Sequence, residues 1–176
     1  MTSRTVRIEN IRWQDAAGEP KNEPVAWCDG VFTSPGDDDE ILDGGGGFLS
    51  AGFIELQTNG SFGHDFTDDP SSLWKVAERL PEQGVTSFLP TLVSAAPEVI
   101  DAALAVLADR PAEFVGAEPL GWHLEGPCLN PDKRGAHALE AMLPISAFDW
   151  TRFTPEAGVR MVTLAPELDG ALDAAR

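Results

Sequence analysis

The sequence predicts an α/β protein. A small N-terminal β unit covers residues 1–47, and about four βα units over residues 48–176 form part of a β/α (TIM-type) barrel. Three observations carry this reading. From residue 48 onward, short apolar runs alternate with helix-like segments, the pattern of right-handed βαβ crossovers and a parallel sheet. The polar residues of those runs gather at their C-terminal ends, the face that carries the active site in β/α barrels. The first 43 or so residues show strand and hairpin patterning instead. A doubly wound open sheet is the alternative, because its ligands also bind at strand C-termini. A complete barrel has eight units and typically about 250 residues, so the barrel reading makes 48–176 roughly half of one.

The elements follow in order. TVRIENIRW (5–13) alternates partially and predicts a strand. PVAWCDGVFT (24–33) is two short apolar runs around Asp29-Gly30, a hairpin signal. SPGDDDE predicts a solvated acidic loop. DGGGG (43–47) lacks the Lys-Ser/Thr ending of a phosphate loop and precedes a strand, so it predicts a flexible turn. FLSAGFIELQ (48–57) is the first strand of the second half. DPSSLWKVAERLPEQG (69–84) predicts a helix capped by Asp or Ser and ended by Gly84. VTSFLPTLV (85–93) is the second strand. APEVIDAALAVLADR (96–110) predicts an amphipathic helix with Pro97 in its first turn and Val99, Ala103, Val106 and Leu107 on one side. EPLGWHLEG (118–126) is the third strand, ISAFDWTRFTPEAG (145–158) a weak helix, and VRMVTLAPE (159–167) the fourth strand.

Composition narrows the function classes. Asp and Glu total 29 against 12 Lys and Arg, a formal charge of −17. A field of that sign repels nucleic acid and anionic membranes, so neither is an expected partner. Lysine occurs only at 21, 75 and 133, and so acidic a surface is expected to gain stability from salt. No apolar run approaches a membrane span. MTSRTVRIEN lacks the apolar core of a signal peptide. Cys28 and Cys128 are far apart and form no CxxC pair, which fits a reduced, cytoplasmic setting.

Several residues are candidates for chemistry. In AGFIELQTNG (51–60), Gln57 and Asn59 lie two apart and so share one strand face, at the end of an apolar run. In GWHLEGPCLNPDKRGAH (121–137), Glu125 closes an apolar strand before Gly-Pro turns the chain out of the sheet. A strand-end carboxylate is a natural ligand for a divalent ion, although a metal site needs several donors. The plainer reading is a carboxylate bonded to loop amides. His123, two residues earlier inside the strand, reads as a hydrogen-bonded core residue. His64, beside Asp65, reads as a loop-fixing residue, and Lys133 and Arg134 as solvated loop cations.

AGFIELQTNGSFGHDF, GVTSFLPTLVSA, GWHLEGPCLNPDKRGAH and VTLAPE, in this order, resemble segments of N-acetylglucosamine-6-phosphate deacetylases of the amidohydrolase superfamily. HLEGP followed by GAH is the specific signal, and the resemblance runs to about residue 167. It implies a β/α barrel beside a small β-sandwich. It implies Glu125 as a metal ligand, Ala136 and His137 as contacts to the sugar, and one divalent ion, zinc, in the complete enzyme. Where many amidohydrolases carry His-x-His, this chain carries Gln57-Thr58-Asn59, which lines the site without binding a second metal. The implied reaction is hydrolysis of N-acetylglucosamine 6-phosphate to glucosamine 6-phosphate and acetate. The family's general base and its two further metal-binding histidines match no position in residues 1–176, so no catalytic residue is assigned here and the chain alone is expected to be inactive. Exposed sheet edges predict a homo-oligomer. Two alternatives are another amidohydrolase, such as a cyclic amide hydrolase, and a non-catalytic half-barrel that binds a phosphosugar or self-associates. Gln-x-Asn and the GAH loop speak against the first.

Overall fold

The computed structural model describes residues 5–37 and 39–176. The first four residues, at the start of the N-terminal β unit, and Asp38 of the acidic loop lie outside the described residues. The chain forms two compact units, Met1–Ala51 and Gly52–Arg176.

The N-terminal unit is a five-stranded sheet of β1 (Thr5–Gln14), β2 (Pro20–Lys21), β3 (Val25–Cys28), β4 (Val31–Thr33) and β5 (Glu40–Phe48). The expected hairpin is present. Cys28 pairs with Val31, and Asp29 and Gly30 take φ of 51° and 79°. Two consecutive left-handed residues make the turn whose twist matches antiparallel strands. DGGGG, by contrast, lies inside strand β5 rather than in a free turn: β5 pairs parallel with β1 on both sides of it, at Glu9–Asp43 and Ile11–Gly47, and Gly44–Gly46 form an irregularity between those pairs. The reason is close approach: a Cβ on Gly44 would stand 1.8 Å from Ile11 Cγ2 and 2.9 Å from the Glu9 carbonyl. With no side chains, the stretch offers no alternation from which a strand can be read. One face of this unit holds an apolar groove of about 870 Å³ lined by residues that include Trp13, Trp27 and Phe32.

The C-terminal unit contains β6 (Phe53–Thr58), α1 (Leu73–Arg79), β7 (Val85–Val93), α2 (Pro97–Ala108), β8 (Glu118–Pro119), β9 (Trp122–Glu125), β10 (Val159–Thr163) and α3 (Ala171–Ala174). The sheet order is β6-β7-β9-β10, with the short β8 also on β7, and every pairing is parallel. The α/β class and parallel sheet expected from the alternation are therefore present. Among the described residues the sheet does not close on itself. β6 is an edge strand, and its Phe53, Ile54 and Leu56 are each more than half exposed.

Three expectations need correction. The first strand of this unit begins at Phe53 rather than residue 48, since Phe48 belongs to β5. The third strand is split into β8 and β9 at Gly121, whose φ of 130° and close approach to Arg160 and the Gly158 carbonyl interrupt the ladder. Residues 145–158 do not form an α-helix. Only Ile145–Ala147 make a 3-10 turn, and Asp149 accepts from the Thr151 N–H and hydroxyl, a local turn that competes with helix.

The helices expected over 69–84 and 96–110 are present as α1 and α2. Asp69 accepts from Ser71 N and caps a 3-10 turn leading into α1, and Gly84, at φ 79°, closes the turn after it. Ile100 and Ala103 of α2 face the core. The core centres on Phe66 and Trp122, both fully buried and meeting edge to face at 5.9 Å, while Trp122 Nε1 donates to the Ala103 carbonyl at 2.9 Å. Truncating such an aromatic typically costs about 3–5 kcal/mol, so this packing anchors the start of β9, the strand that carries Glu125.

Candidate functional site at the C-terminal end of the parallel sheet

Glu125 is the last residue of β9, in register with Val93 of β7 and Thr163 of β10. The next residue cannot continue the strand with a side chain. Gly126 takes φ 90°, its N–H donates to the Thr163 carbonyl at 2.9 Å, and a Cβ there would stand 2.4 Å from Ser94 Oγ. The chain therefore leaves the sheet at this point and the carboxylate is left at its rim, about a quarter exposed.

Gln57, next to last in β6, stands two strands away, a separation of about 10 Å at ordinary strand spacing. Two long side chains bridge that gap. Gln57 Nε2 donates to Glu125 Oε2 at 2.9 Å. Asn59, one residue past the end of β6, reaches the same oxygen with Nδ2 at 3.5 Å. The amides thus both point toward one carboxylate oxygen, as the two-residue spacing predicts. Asn59 is itself held by its backbone, whose carbonyl accepts from Phe66 N at 2.9 Å.

The other oxygen faces His137. Its Nε2 lies 3.7 Å from Glu125 Oε1, too far for a hydrogen bond but close enough for the two groups to face each other. His137 is buried, in the loop after β9, and its backbone N–H donates to the Arg134 carbonyl while Arg134 Nη1 donates to its carbonyl at 2.8 Å. Its Nδ1 lies 2.7 Å from Ser94 Oγ, in the loop after β7. Ser94 also donates its backbone N–H to the Glu125 carbonyl at 2.8 Å. Sequence patterning did not single out Ser94, since one serine after an apolar strand carries no spacing signal.

Beneath the rim lies a sealed polar layer. His123 is 1% exposed, with Thr91 Oγ1 at 3.2 Å from Nδ1 and Thr163 Oγ1 at 2.8 Å from Nε2. Burial holds its imidazole below the ordinary histidine range, with the Glu125 carboxylate opposing. His123 is the hydrogen-bonded core residue the strand pattern suggested, tying β7, β9 and β10 together.

The structure thus brings together Gln57, Asn59, Glu125 and His137. Ala136 is exposed, next to His137 in the chain. His64 is half-buried in the loop after β6. A metal ion needs about four donors, typically thiolate, imidazole or carboxylate. Among the described residues no group of three or more His, Cys, Asp or Glu is placed to hold one. Glu125 offers one carboxylate, His137 one imidazole, and amides are weak neutral donors. These residues therefore do not complete a metal site.

Comparison with known proteins agrees with the motifs. No family profile matches the chain. It is 46% identical over 140 residues to N-acetylglucosamine-6-phosphate deacetylase of Mus musculus, covering 74% of this chain and 34% of that one. It is 40% identical over 149 residues to the enzyme of the same name from Caenorhabditis elegans, covering 77% and 35%. In fold it matches the crystal structure of N-acetylglucosamine-6-phosphate deacetylase from Pasteurella multocida with a TM-score of 0.81 at 26% identity, over 97% of this chain and 48% of that chain. The matched region is thus about a third of these curated relatives and just under half of the solved chain. The resemblance read from the motifs is borne out: in sequence and in fold, this chain is similar to part of N-acetylglucosamine-6-phosphate deacetylases.

Proposed function

We propose that this chain forms one side of the active site of a hydrolase that removes acetate from N-acetylglucosamine 6-phosphate. The observation that carries the proposal is the convergence of Gln57, Asn59 and His137 on the two oxygens of Glu125, at the C-terminal end of a parallel sheet. That is the end at which β/α enzymes bind their ligands. The parallel strands are, in this proposal, part of a β/α barrel, with the N-terminal unit part of a β-sandwich.

The roles follow from the chemistry of each group. Glu125 is the residue that would ligate a single divalent ion, zinc in this proposal. Gln57 and Asn59 hold one of its oxygens by N–H donation, which fixes the carboxylate plane and leaves the other oxygen, on the His137 side, free of hydrogen bonds from them. A neutral amide pair at this place disfavours a second cation, since neither side chain brings charge or a strong donor. His137 and Ala136 line the sugar side. The chain supplies no general base, so we expect no turnover from it alone. It is expected to work in the cytoplasm, where its free thiols Cys28 and Cys128 stay reduced. Among the described residues, no helix is long and apolar enough to cross a membrane.

Titration calorimetry with N-acetylglucosamine 6-phosphate tests this reading on the 176-residue chain. The expected result is saturable binding that His137→Ala weakens and that a cyclic amide such as dihydrouracil does not reproduce. Equal binding by wild type and His137→Ala would refute the assignment.

A further inference from the structure

Ser94 stands outside every role given above, yet three contacts fix it at the rim. Its backbone N–H donates to the Glu125 carbonyl at 2.8 Å. Its hydroxyl has the imidazole of His137 at 2.7 Å. Its Oγ occupies the space that a side chain at Gly126 would need. Ser94 is 6% exposed and His137 8%, so this bond is shielded from water, which strengthens it and makes its loss costly.

The direction of that bond follows from what faces the opposite ring nitrogen. His137 Nε2 looks at Glu125 Oε1, 3.7 Å away. A lone pair on Nε2 would oppose a carboxylate lone pair, whereas an N–H there is attracted to it. The neutral ring therefore carries its proton on Nε2, Nδ1 is the acceptor, and the Ser94 hydroxyl donates. We propose that Ser94 is a positioning residue: by donating to Nδ1 it selects the Nε2–H tautomer of His137 and aims that N–H toward the side of the ring that Glu125 faces, as a donor for an oxygen of the bound sugar. The sugar as recipient rests on the deacetylase reading above. The tautomer does not.

The constellation resembles a nucleophile–base–acid row, but its geometry serves a different end. Ser94 Oγ is buried beside Gly126, and it meets the ring nitrogen opposite the one that faces Glu125. A nucleophile needs access to substrate and a base that can pass its proton on toward the leaving group. Here the nitrogen on the Glu125 side of the ring is Nε2.

The test is nitrogen-detected NMR of the histidine rings in the full 176-residue chain, at about pH 8, above the ordinary histidine range. Wild type is expected to show His137 as one tautomer, protonated on Nε2. Ser94→Ala is expected to give a mixture of both tautomers, with the His123 signals unchanged as a record of intact folding. Ser94→Thr, which keeps the hydroxyl, is expected to restore the single tautomer. Binding of N-acetylglucosamine 6-phosphate is expected to weaken by about tenfold in Ser94→Ala, the size of one misaimed hydrogen bond, and to recover in Ser94→Thr. An Nδ1–H tautomer in wild type, an unchanged tautomer in Ser94→Ala, or labelling of Ser94 by a fluorophosphonate would each overturn the proposal. If Ser94→Ala does not fold, the wild-type tautomer and Ser94→Thr still decide it. If wild type binds no sugar phosphate but shows the expected tautomers, the deacetylase reading fails and the positioning of His137 stands.

Discussion

Replacing Gly126 with alanine probes the rim through its tightest point. Two costs add. Alanine at φ 90° is strained, by about 1–3 kcal/mol. Its Cβ would also stand 2.4 Å from Ser94 Oγ, so the hydroxyl must turn away and leave His137 Nδ1 unpaired in a buried setting, at a further cost of about 1–3 kcal/mol. The expected destabilisation is about 2–6 kcal/mol, a large part of the roughly 5–15 kcal/mol that holds a typical domain together. Gly135→Ala is the control. Its φ of 59° is also left-handed, but nothing lies within 4 Å of the added Cβ. It should therefore lose only the backbone part, about 1–2 kcal/mol. Urea unfolding with a shared m-value reads both variants. The double variant Ser94→Ala/Gly126→Ala separates the two costs: with Oγ removed, the alanine at 126 should cost less than it does in the wild-type background. If Gly126→Ala is no worse than Gly135→Ala, or if removing Oγ brings no relief, the contact with Ser94 does not shape the rim.

Three further outcomes follow. Thr91→Val keeps the shape of a fully buried side chain but takes a hydroxyl from His123 Nδ1, so urea unfolding should show a loss of about 1–3 kcal/mol, and an unchanged midpoint would deny His123 its structural role. Burial pushes the Cys128 thiol up to about 11 from an ordinary 9.0. Iodoacetamide at about pH 9 should then find roughly 1 in 100 of it as thiolate, leaving half-buried Cys28 to react first. Because the folded state holds the Cys128 proton more tightly than the unfolded chain, stability should fall as pH rises from 9 toward 11. Equal labelling of both cysteines in the folded chain would contradict that burial. With a formal charge of −17, the unfolding midpoint should rise between about 0.1 and 1 M salt as Debye screening tightens, and indifference to salt would show that the acidic surface costs the fold nothing.

Much of the site was legible in the sequence, for identifiable reasons. Gln57 and Asn59 share a face because strand side chains repeat every two residues, and Glu125 ends its strand because Gly-Pro follows. The Asp29-Gly30 hairpin was legible because few residues accept two left-handed dihedrals in a row. What stayed hidden lacked a local pattern. The glycines 44–47 carry no alternation, so their strand is set by the close approach of Ile11. The segment 145–158 has helix-like apolar spacing, but Asp149 and Thr151 bond locally and win. Ser94 gains its part in the site from His137, 43 residues away, and from Glu125 and Gly126, and no spacing rule reaches that far.

Gln57, Asn59 and His137 converge on Glu125 at the C-terminal end of the parallel sheet. The most direct test follows the side-chain amide resonances of Gln57 and Asn59 while N-acetylglucosamine 6-phosphate is added to the 176-residue chain. Both amides are predicted to move together with the His137 ring signals and to saturate at one common concentration. If they stay still while signals from the groove of Trp13 and Trp27 move, or if nothing moves at all, the four side chains are not a substrate site.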